Sequence, residues 1–205
     1  MGVEPVVAPV LEVRPIETRI DLEGIGALAF TSANAVRAFA ARSPERALRV
    51  FAVGAATAAA AKAERFRTVL STEGDVEALA SGIATRKRQL DGAVLHPGAA
   101  EPAGDLVGAL AAFAIPARAV TLYETIPAQL PPDFMQTLTR LDGVLIHSPK
   151  SARRVAEILK ASPAPKLAAY CLSAQVADAL ASAAIGPVRT AALPNEDALL
   201  SLIAP

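Results

Sequence analysis

Short apolar runs and helix-spaced apolar positions alternate along most of the chain. Predicted strands cover 27–30, 49–53, 68–70, 93–95, 117–122, 143–146, 167–170 and 188–191. Predicted helices cover 33–42, 57–66, 76–88, 106–113, 134–141, 151–159, 174–183 and 197–203. Short strands that alternate with helices are typical of parallel sheets with helices on both faces. The pattern therefore predicts an α/β fold.

The segment 120–127 lies between two regions with this pattern. It is rich in strand-forming residues and ends at Pro127. A similar segment lies near the N-terminus, where Glu12 and Pro15 match Glu124 and Pro127 at an offset of 112. We interpret 12–17 and 120–127 as the outgoing and returning strands of a two-stranded linker.

Further matches at almost the same offset indicate an internal repeat. Residues 30–33 match 146–149 and residues 57–58 match 173–174 at an offset of 116, and 75–79 resemble 195–199 at 120. We predict two similar flavodoxin-like lobes with parallel sheets. One is an inserted lobe at 18–119, and the other is a discontinuous lobe made of 1–11 and 128–205.

The repeat predicts that the discontinuous lobe lacks its first strand and helix. The strand and helix at 93–113 have no counterpart, because subtracting 112 places them before residue 2. In a sheet of the 2-1-3-4-5 order the first strand is central. We therefore expect a strand at 6–10 to pair directly with the strand at 143–146, or to remain unpaired.

Composition excludes several classes of protein. Twenty basic and twenty acidic residues cancel, which gives no reason to expect nucleic acid or a membrane as partner. The single cysteine, Cys171, excludes an internal disulfide and indicates a reducing, cytoplasmic location. The sequence shows no signal peptide and no apolar stretch long enough to span a membrane.

Small hydroxyl residues follow several of the predicted strands. Ser32, Thr57, Ser148 and Ser173 each lie where a strand passes into a helix, and His96–Gly98 forms a similar turn. Capping of the helix explains each serine or threonine individually. Alternatively, the same helix starts hold anionic groups through free backbone N–H groups, because ligands of open parallel sheets bind at the carboxyl ends of the strands.

Several kinds of site have no matching motif. The sequence contains no glycine-rich dinucleotide motif, no Walker phosphate loop and no nucleophile elbow. His96, His147 and Cys171 are far apart in sequence, so we expect no metal site. We interpret the two histidines as turn residues rather than as acid–base catalysts. We interpret Cys171 as an inert core thiol.

The ordered segments LAFTSANAVRAF, RVFAVGAATAAAA, GDVEALA, VTLYETIP, GVLIHSPKSARR, CLSAQVADAL and PNEDALL resemble the uroporphyrinogen-III synthase family. The resemblance covers nearly the whole chain. It implies two α/β lobes joined by a two-stranded linker, with the active site in the cleft between them. It also implies a lyase, specifically a hydro-lyase, that cyclises and dehydrates hydroxymethylbilane with inversion of ring D. The product, uroporphyrinogen III, serves tetrapyrrole, porphyrin and haem biosynthesis, and the family uses no cofactor or metal.

The resemblance also implies residue roles. The family's linker tyrosine corresponds to Tyr123, whose hydroxyl would assist the loss of water. Backbone N–H groups would bind most of the substrate carboxylates. The residues expected to bind substrate are Ser32, Asn34, Thr57, Gly98, Ser148, Lys150 and Ser173.

Three functions remain open at this point. The first is the synthase, acting as a cytoplasmic monomer that can receive its substrate from hydroxymethylbilane synthase. The second is a non-catalytic, two-lobed module, an N-terminally truncated homologue that binds a small polyanion. The third is a structural relic that cannot close its sheet.

Overall fold

The computed structural model describes residues 2–203. Its strands are β1 Leu11–Pro15, β2 Ile25–Phe30, β3 Arg49–Val53, β4 Val69–Thr72, β5 Ala93–Ala99, β6 Ala117–Pro127, β7 Gly143–Ile146, β8 Ala168–Cys171 and β9 Val188–Thr190. Its helices are α1 Ala33–Ala40, α2 Gly54–Ala63, α3 Val76–Ala84, α4 Leu106–Ala111, α5 Phe134–Leu138, α6 Pro149–Ala161, α7 Ala174–Asp178 and α8 Glu196–Leu200. Single 3₁₀ turns cover Lys87–Gln89 and Ser201–Ile203.

The strands form two sheets, and the α/β prediction is confirmed. The first sheet has the order β1-β6-β5-β2-β3-β4, and the second has the order β7-β8-β9. Strands β2 to β6 pair in parallel, as do β7 to β9. β1 runs antiparallel to β6. The Ile16 N–H donates a hydrogen bond to the Leu122 carbonyl oxygen, and the Ala128 N–H donates one to the Val10 carbonyl oxygen. No helix among residues 2–203 is both long and apolar enough to cross a membrane.

The strand order corrects the flavodoxin-type order predicted from the sequence. Counted along the chain from β2, the five parallel strands of the first sheet stand in the order 3-2-1-4-5. This is the order of the doubly wound dinucleotide-binding folds, and it places the reversal of strand order between β2 and β5.

The chain divides into two compact units. One, called here the inserted unit, comprises Val13–Thr125, and the other, the flanking unit, comprises Met1–Glu12 and Ile126–Pro205. The unit boundaries pass through β1 and β6. We propose that the segments 12–17 and 120–127 are the two strands of a linker that joins the two predicted lobes.

The inserted unit is built around β2, whose sequence explains its central position. All but one of its residues are buried, and successive side chains enter opposite cores. Leu28 and Phe30 join the core that includes α1 and α2, whereas Ala27 and Ala29 join the core that includes α3 and α4. An uninterrupted apolar run of this kind is typical of a parallel strand covered on both faces.

The flanking unit contains the smaller sheet, with three strands. Its core is formed largely by α5, α6, α7 and the strands β7 and β8, and Ala8 and Val10 pack against it. The predicted strand at 6–10 is wrong, since residues 2–9 form no strand. Pro5 and Pro9 explain the error, because proline has no N–H to donate to a ladder. Among the described residues, β7 pairs with β8 alone, so the expected pairing of 143–146 with 6–10 is absent.

Several element boundaries differ from their predicted positions, and three of these differences affect strand-end residues or the basic run. α2 begins at Gly54 rather than at Thr57, because a glycine φ of +73° turns the chain directly from β3 into the helix. β5 continues through Ala99, so 96–98 is strand and not a turn. α3 ends at Ala84, before the basic run at 86–88.

Candidate functional site

The reversal of strand order in the inserted unit marks a crevice at the carboxyl ends of β2 and β5. The helix that follows β2 packs on one face of the sheet, and α4, which follows β5, packs on the other. The connections that follow β2 and β5 therefore leave toward opposite faces of the sheet. Doubly wound sheets bind their ligands at such a switch point.

Tyr123 and Ser32 lie close together in the inserted unit. Ser32 ends the turn after β2 and caps α1, where its Oγ accepts a hydrogen bond from the Ala35 N–H at 3.2 Å. The Tyr123 hydroxyl is 2.9 Å from the same Oγ. Tyr123 is 6% exposed, and Ser32 is half-buried. The structure thus brings together two hydroxyl groups that are 91 residues apart in sequence.

A bulge in the sheet determines the direction of the Tyr123 side chain. Along the β5–β6 pair, Gly98 lies opposite Thr121 but the next residue, Ala99, lies opposite Tyr123. Consecutive strand residues normally point to opposite faces, yet Leu122 and Tyr123 both enter the core that contains α1. The extra residue in β6 therefore turns the phenol toward the start of α1, as bulges beside active sites commonly do.

His96 lies where β2 and β5 separate. The two strands pair as far as Leu28 opposite Leu95, and the His96 Nδ1 then contacts the Ala29 carbonyl oxygen at 2.9 Å. Because a carbonyl oxygen only accepts, Nδ1 carries the hydrogen and Nε2 keeps its lone pair. Burial lowers the pKa of His96, and the bond to Ala29 acts in the opposite direction. The neutral ring thus connects the two strands just below the crevice.

The other residues predicted for the inserted unit lie in different surroundings. Asn34 is exposed in the first turn of α1, and its Oδ1 accepts from Arg37 Nη1 at 3.3 Å. Thr57 lies inside α2 and is 6% exposed, so it does not occupy the predicted turn. Gly98 is buried within β5, where a Cβ would meet His96 Nε2 at 3.2 Å. Gly98 thus leaves room for the imidazole ring.

The flanking unit presents its own set of strand-end residues. Ser148 caps α6 through the Ser151 N–H at 3.1 Å, and its Oγ lies 2.9 Å from Ser151 Oγ. Lys150 is half-buried in the first turn of α6. Ser173 caps α7 without a side-chain hydrogen bond. His147 Nε2 lies 2.9 Å from Glu196 Oε2, so this histidine is paired with the start of α8.

The first turns of the helices separate those that suit an anion from those that do not. α1, α2, α6 and α7 have no acidic residue in the first turn and no acidic cap. By contrast, α3 and α8 carry acidic residues there, and Asp105 and Asp133 cap α4 and α5. The partial positive charge of a helix start attracts carboxylates. The four helix starts without acidic groups are therefore the ones suited to a polyanion.

Sequence reasoning missed two features of this arrangement. The contact between His96 and Ala29 joins residues that are 67 positions apart, and the bulge at Tyr123 depends on pairing between two strands. The only local signal was the position of His96 at a strand end.

The chain is similar to known proteins over nearly its whole length. A family model described as uroporphyrinogen-III synthase HemD matches residues 1–201. A uroporphyrinogen-III synthetase from Helicobacter pylori superposes with a TM-score of 0.75 at 19% identity, covering 94% of this chain and 89% of that one. A mutant uroporphyrinogen III synthase from the extremely thermophilic bacterium Thermus thermophilus superposes with a TM-score of 0.53 at 17% identity, covering 98% and 87%. The comparison with curated proteins gives no match.

Proposed function

The chain belongs to the uroporphyrinogen-III synthase family, whose model matches residues 1–201, and we propose that Tyr123 is its catalytic residue. The function is that of the family. It is the cyclisation and dehydration of hydroxymethylbilane, with inversion of ring D, in tetrapyrrole and haem biosynthesis. The family match does not favour a non-catalytic binding module. We assign the enzyme to the hydro-lyases.

The observation that carries the proposal is the buried Tyr123 phenol beside the start of α1. Its hydroxyl lies 2.9 Å from Ser32 Oγ, and the bulge in β6 fixes its direction. A side chain held by packing and by a hydrogen bond loses little entropy when a substrate binds. The phenol is a donor suited to a departing hydroxyl group.

In the proposed reaction the Tyr123 phenol transfers one proton. The bond between the substrate's hydroxymethyl carbon and its oxygen breaks, and the electron pair stays on the oxygen. That oxygen receives a proton from Tyr123 and leaves as water. The resulting carbon bonds to the ring D carbon that carries the neighbouring methylene bridge, and the bond between that ring carbon and the bridge then breaks. The bridge carbon bonds instead to the opposite α-carbon of ring D, which inverts the ring. That α-carbon releases its hydrogen as a proton, which restores the phenol. Atoms and charge balance without any oxidation or reduction, so we propose no cofactor and no metal.

The substrate carboxylates are assigned to the helix starts without acidic groups. In the inserted unit these are the starts of α1, beside Ser32 and Asn34, and of α2, where the exposed Ala55 and Ala56 precede Thr57. Gly98 contributes as backbone of β5. In the flanking unit they are the starts of α6 and α7. Ser148, Lys150 and Ser173 are the residues proposed to contact substrate there.

The remaining proposals concern the setting of the reaction. We propose a cytoplasmic monomer, in agreement with the buried free thiol of Cys171. Burial raises the pKa of that thiol, which keeps it protonated and unreactive.

The linear bilane closes spontaneously to the type I isomer. Direct hand-over from hydroxymethylbilane synthase would therefore protect it.

The isomer of the product tests the proposed function. The protein is incubated with hydroxymethylbilane that is generated enzymatically in the same vessel, and the uroporphyrinogen isomers are separated. We expect the type III isomer to exceed the spontaneous type I isomer. A product that contains only type I, as in the control without protein, would refute the proposal.

A further inference from the structure

The hydroxyl group of Ser32 has two partners in the structure, and their chemistry restricts where its proton lies. The Ala35 N–H can only donate, so Ser32 Oγ accepts that bond. The other partner is the Tyr123 hydroxyl, and either oxygen can be the donor in that pair. A serine hydroxyl has one proton and two lone pairs. The direction of the bond between Ser32 and Tyr123 therefore decides which proton remains free.

The two possible directions satisfy the same number of hydrogen bonds and leave different protons free. If Tyr123 donates, Ser32 accepts twice and its own proton needs a third partner, which the described residues do not supply. If Ser32 donates, its proton and the bond from Ala35 are both satisfied, and the phenolic proton is the one that needs a further partner. Because Tyr123 is 6% exposed, a bound molecule has to supply that partner. A departing hydroxyl group can accept this proton, so the proposed role of Tyr123 as proton donor requires the second direction.

We propose that Ser32 is a positioning residue for Tyr123: it donates to the phenolic oxygen and leaves the phenolic proton to the departing hydroxyl of the substrate. This role rests on the proposed function of Tyr123. It also replaces the direct substrate contact predicted for the Ser32 side chain, because both partners of that side chain are protein groups.

The start of α1 strengthens this donor chain. The Ala35 N–H lies in the first turn of the helix, which contains no acidic residue. Its bond to Ser32 polarises the serine hydroxyl, and hydrogen bonds in series strengthen one another. The phenolic proton stands at the end of this series and becomes a better donor than an isolated phenol.

Steady-state kinetics of a double-mutant cycle test the proposal. Ser32→Ala should lower kcat by about twofold to tenfold, the range of one hydrogen bond, with little change in KM. In the Tyr123→Phe background the same substitution should have no further effect on kcat. Ser32→Thr should restore most of the rate, because it keeps the hydroxyl group. An equal loss of kcat in both backgrounds, or a change confined to KM, would overturn the proposal.

A matched control separates this role from the loss of a helix cap. Asp75 caps α3 in the same unit through the Ala78 N–H at 2.9 Å and lies outside the site. Asp75→Ala removes a cap of the same kind, and we expect kcat to stay within about twofold of the wild type. A loss of kcat equal to that of Ser32→Ala would assign the effect to the cap and overturn the positioning role.

A spectroscopic test is independent of activity. The sequence contains two tyrosines, so Tyr170→Phe leaves Tyr123 as the only one. The Raman doublet of a tyrosine ring distinguishes a phenol that accepts a hydrogen bond from one that donates. We expect the acceptor pattern in the Tyr170→Phe protein and its loss on adding Ser32→Ala. A donor pattern toward Ser32 would overturn the proposal whatever the isomer assay shows.

Discussion

The two units repeat one strand–helix pattern but place the same capping serine in different surroundings. In the inserted unit, Ser32 caps α1 and its hydroxyl also pairs with Tyr123. In the flanking unit, Ser148 caps α6 and its hydroxyl pairs with Ser151 in the same helix. The difference teaches that a cap supplies structure in both units. We propose that it takes part in chemistry only where a distant strand brings a second hydroxyl group to it.

The sheets and apolar cores of the two units differ as well. Strands β2 to β6 of the inserted unit form five parallel neighbours with apolar cores on both faces. The flanking unit has a sheet of three short strands, and every residue of β9 is exposed. Burial of apolar surface is the main stabilising contribution to folding. We therefore expect the inserted unit to be the more stable one.

Native-state hydrogen exchange gives the largest expected contrast. Amides of β3 and β5 should exchange at least about a hundredfold more slowly than those of β7 and β8, a difference of roughly 3 kcal/mol in opening free energy. Exchange at single-residue resolution by NMR measures this ratio. Equal protection in the two sheets would break the comparison.

Two arginines extend the comparison to single side chains. Arg46 donates to the carbonyl oxygens of Ala40, Ser43, Glu45 and Glu64, and its guanidinium lies over the Phe66 ring at 4.9 Å. Arg46→Ala should destabilise the inserted unit by about 2–3 kcal/mol, because it leaves the ends of α1 and α2 without these donors. Denaturant unfolding that is monitored in each unit gives the free energy.

The control for Arg46 lies in the flanking unit. Arg154 pairs with Glu157 at 3.2 Å through one nitrogen, while its buried Nε has no partner among the described residues. Arg154→Ala should change the free energy of unfolding by about 0.5 kcal/mol at most. A loss as large as that of Arg46→Ala would show that the carbonyl contacts are not the cause.

The buried His96 should cause a smaller effect, a loss of folding stability at low pH. Burial lowers the pKa of His96 in the folded state below its ordinary value of 6.5. The unfolded chain therefore binds the proton first as the pH falls. The stability that neutral His96 provides is complete above pH 6.5 and is lost progressively below it. Unfolding free energies between pH 7.5 and about pH 5 measure the slope.

Two substitutions test whether His96 causes that slope. His96→Gln should flatten the pH dependence of the inserted unit. His147→Gln should leave the slope of the inserted unit unchanged, because His147 belongs to the flanking unit. The same slope in the His96→Gln protein would assign the pH dependence to other groups.

The parts of this molecule that could be predicted from the sequence are those with local causes. The apolar run of β2 and the serines before α1 and α6 each act within a few residues. The strand predicted at 6–10 does not form, and this too has a local reason, because Pro5 and Pro9 have no N–H to donate to a ladder. The helix predicted to start at Thr57 starts earlier because Gly54 adopts a positive φ.

The parts that could not be predicted depend on pairing between distant segments. The order 3-2-1-4-5 is decided by which strands meet in the folded sheet, and periodicity along the chain contains no such information. The same holds for the bulge that turns Tyr123 toward α1 and for the bond from His96 to Ala29. The resemblance to a family pointed to Tyr123 and to Ser32 separately, but not to the contact between their hydroxyl groups.

The central claim is that the tyrosine of the inserted unit takes part in the reaction and the tyrosine of the flanking unit does not. Tyr170, in β8, provides the matched control. The measurement is the rate of uroporphyrinogen III formation by Tyr123→Phe and by Tyr170→Phe at saturating hydroxymethylbilane. The account predicts a loss of about a hundredfold for Tyr123→Phe, the lower end of the range for a lost proton donor, and an unchanged rate for Tyr170→Phe. A Tyr123→Phe protein at the full rate, or equal losses in both variants, would contradict it.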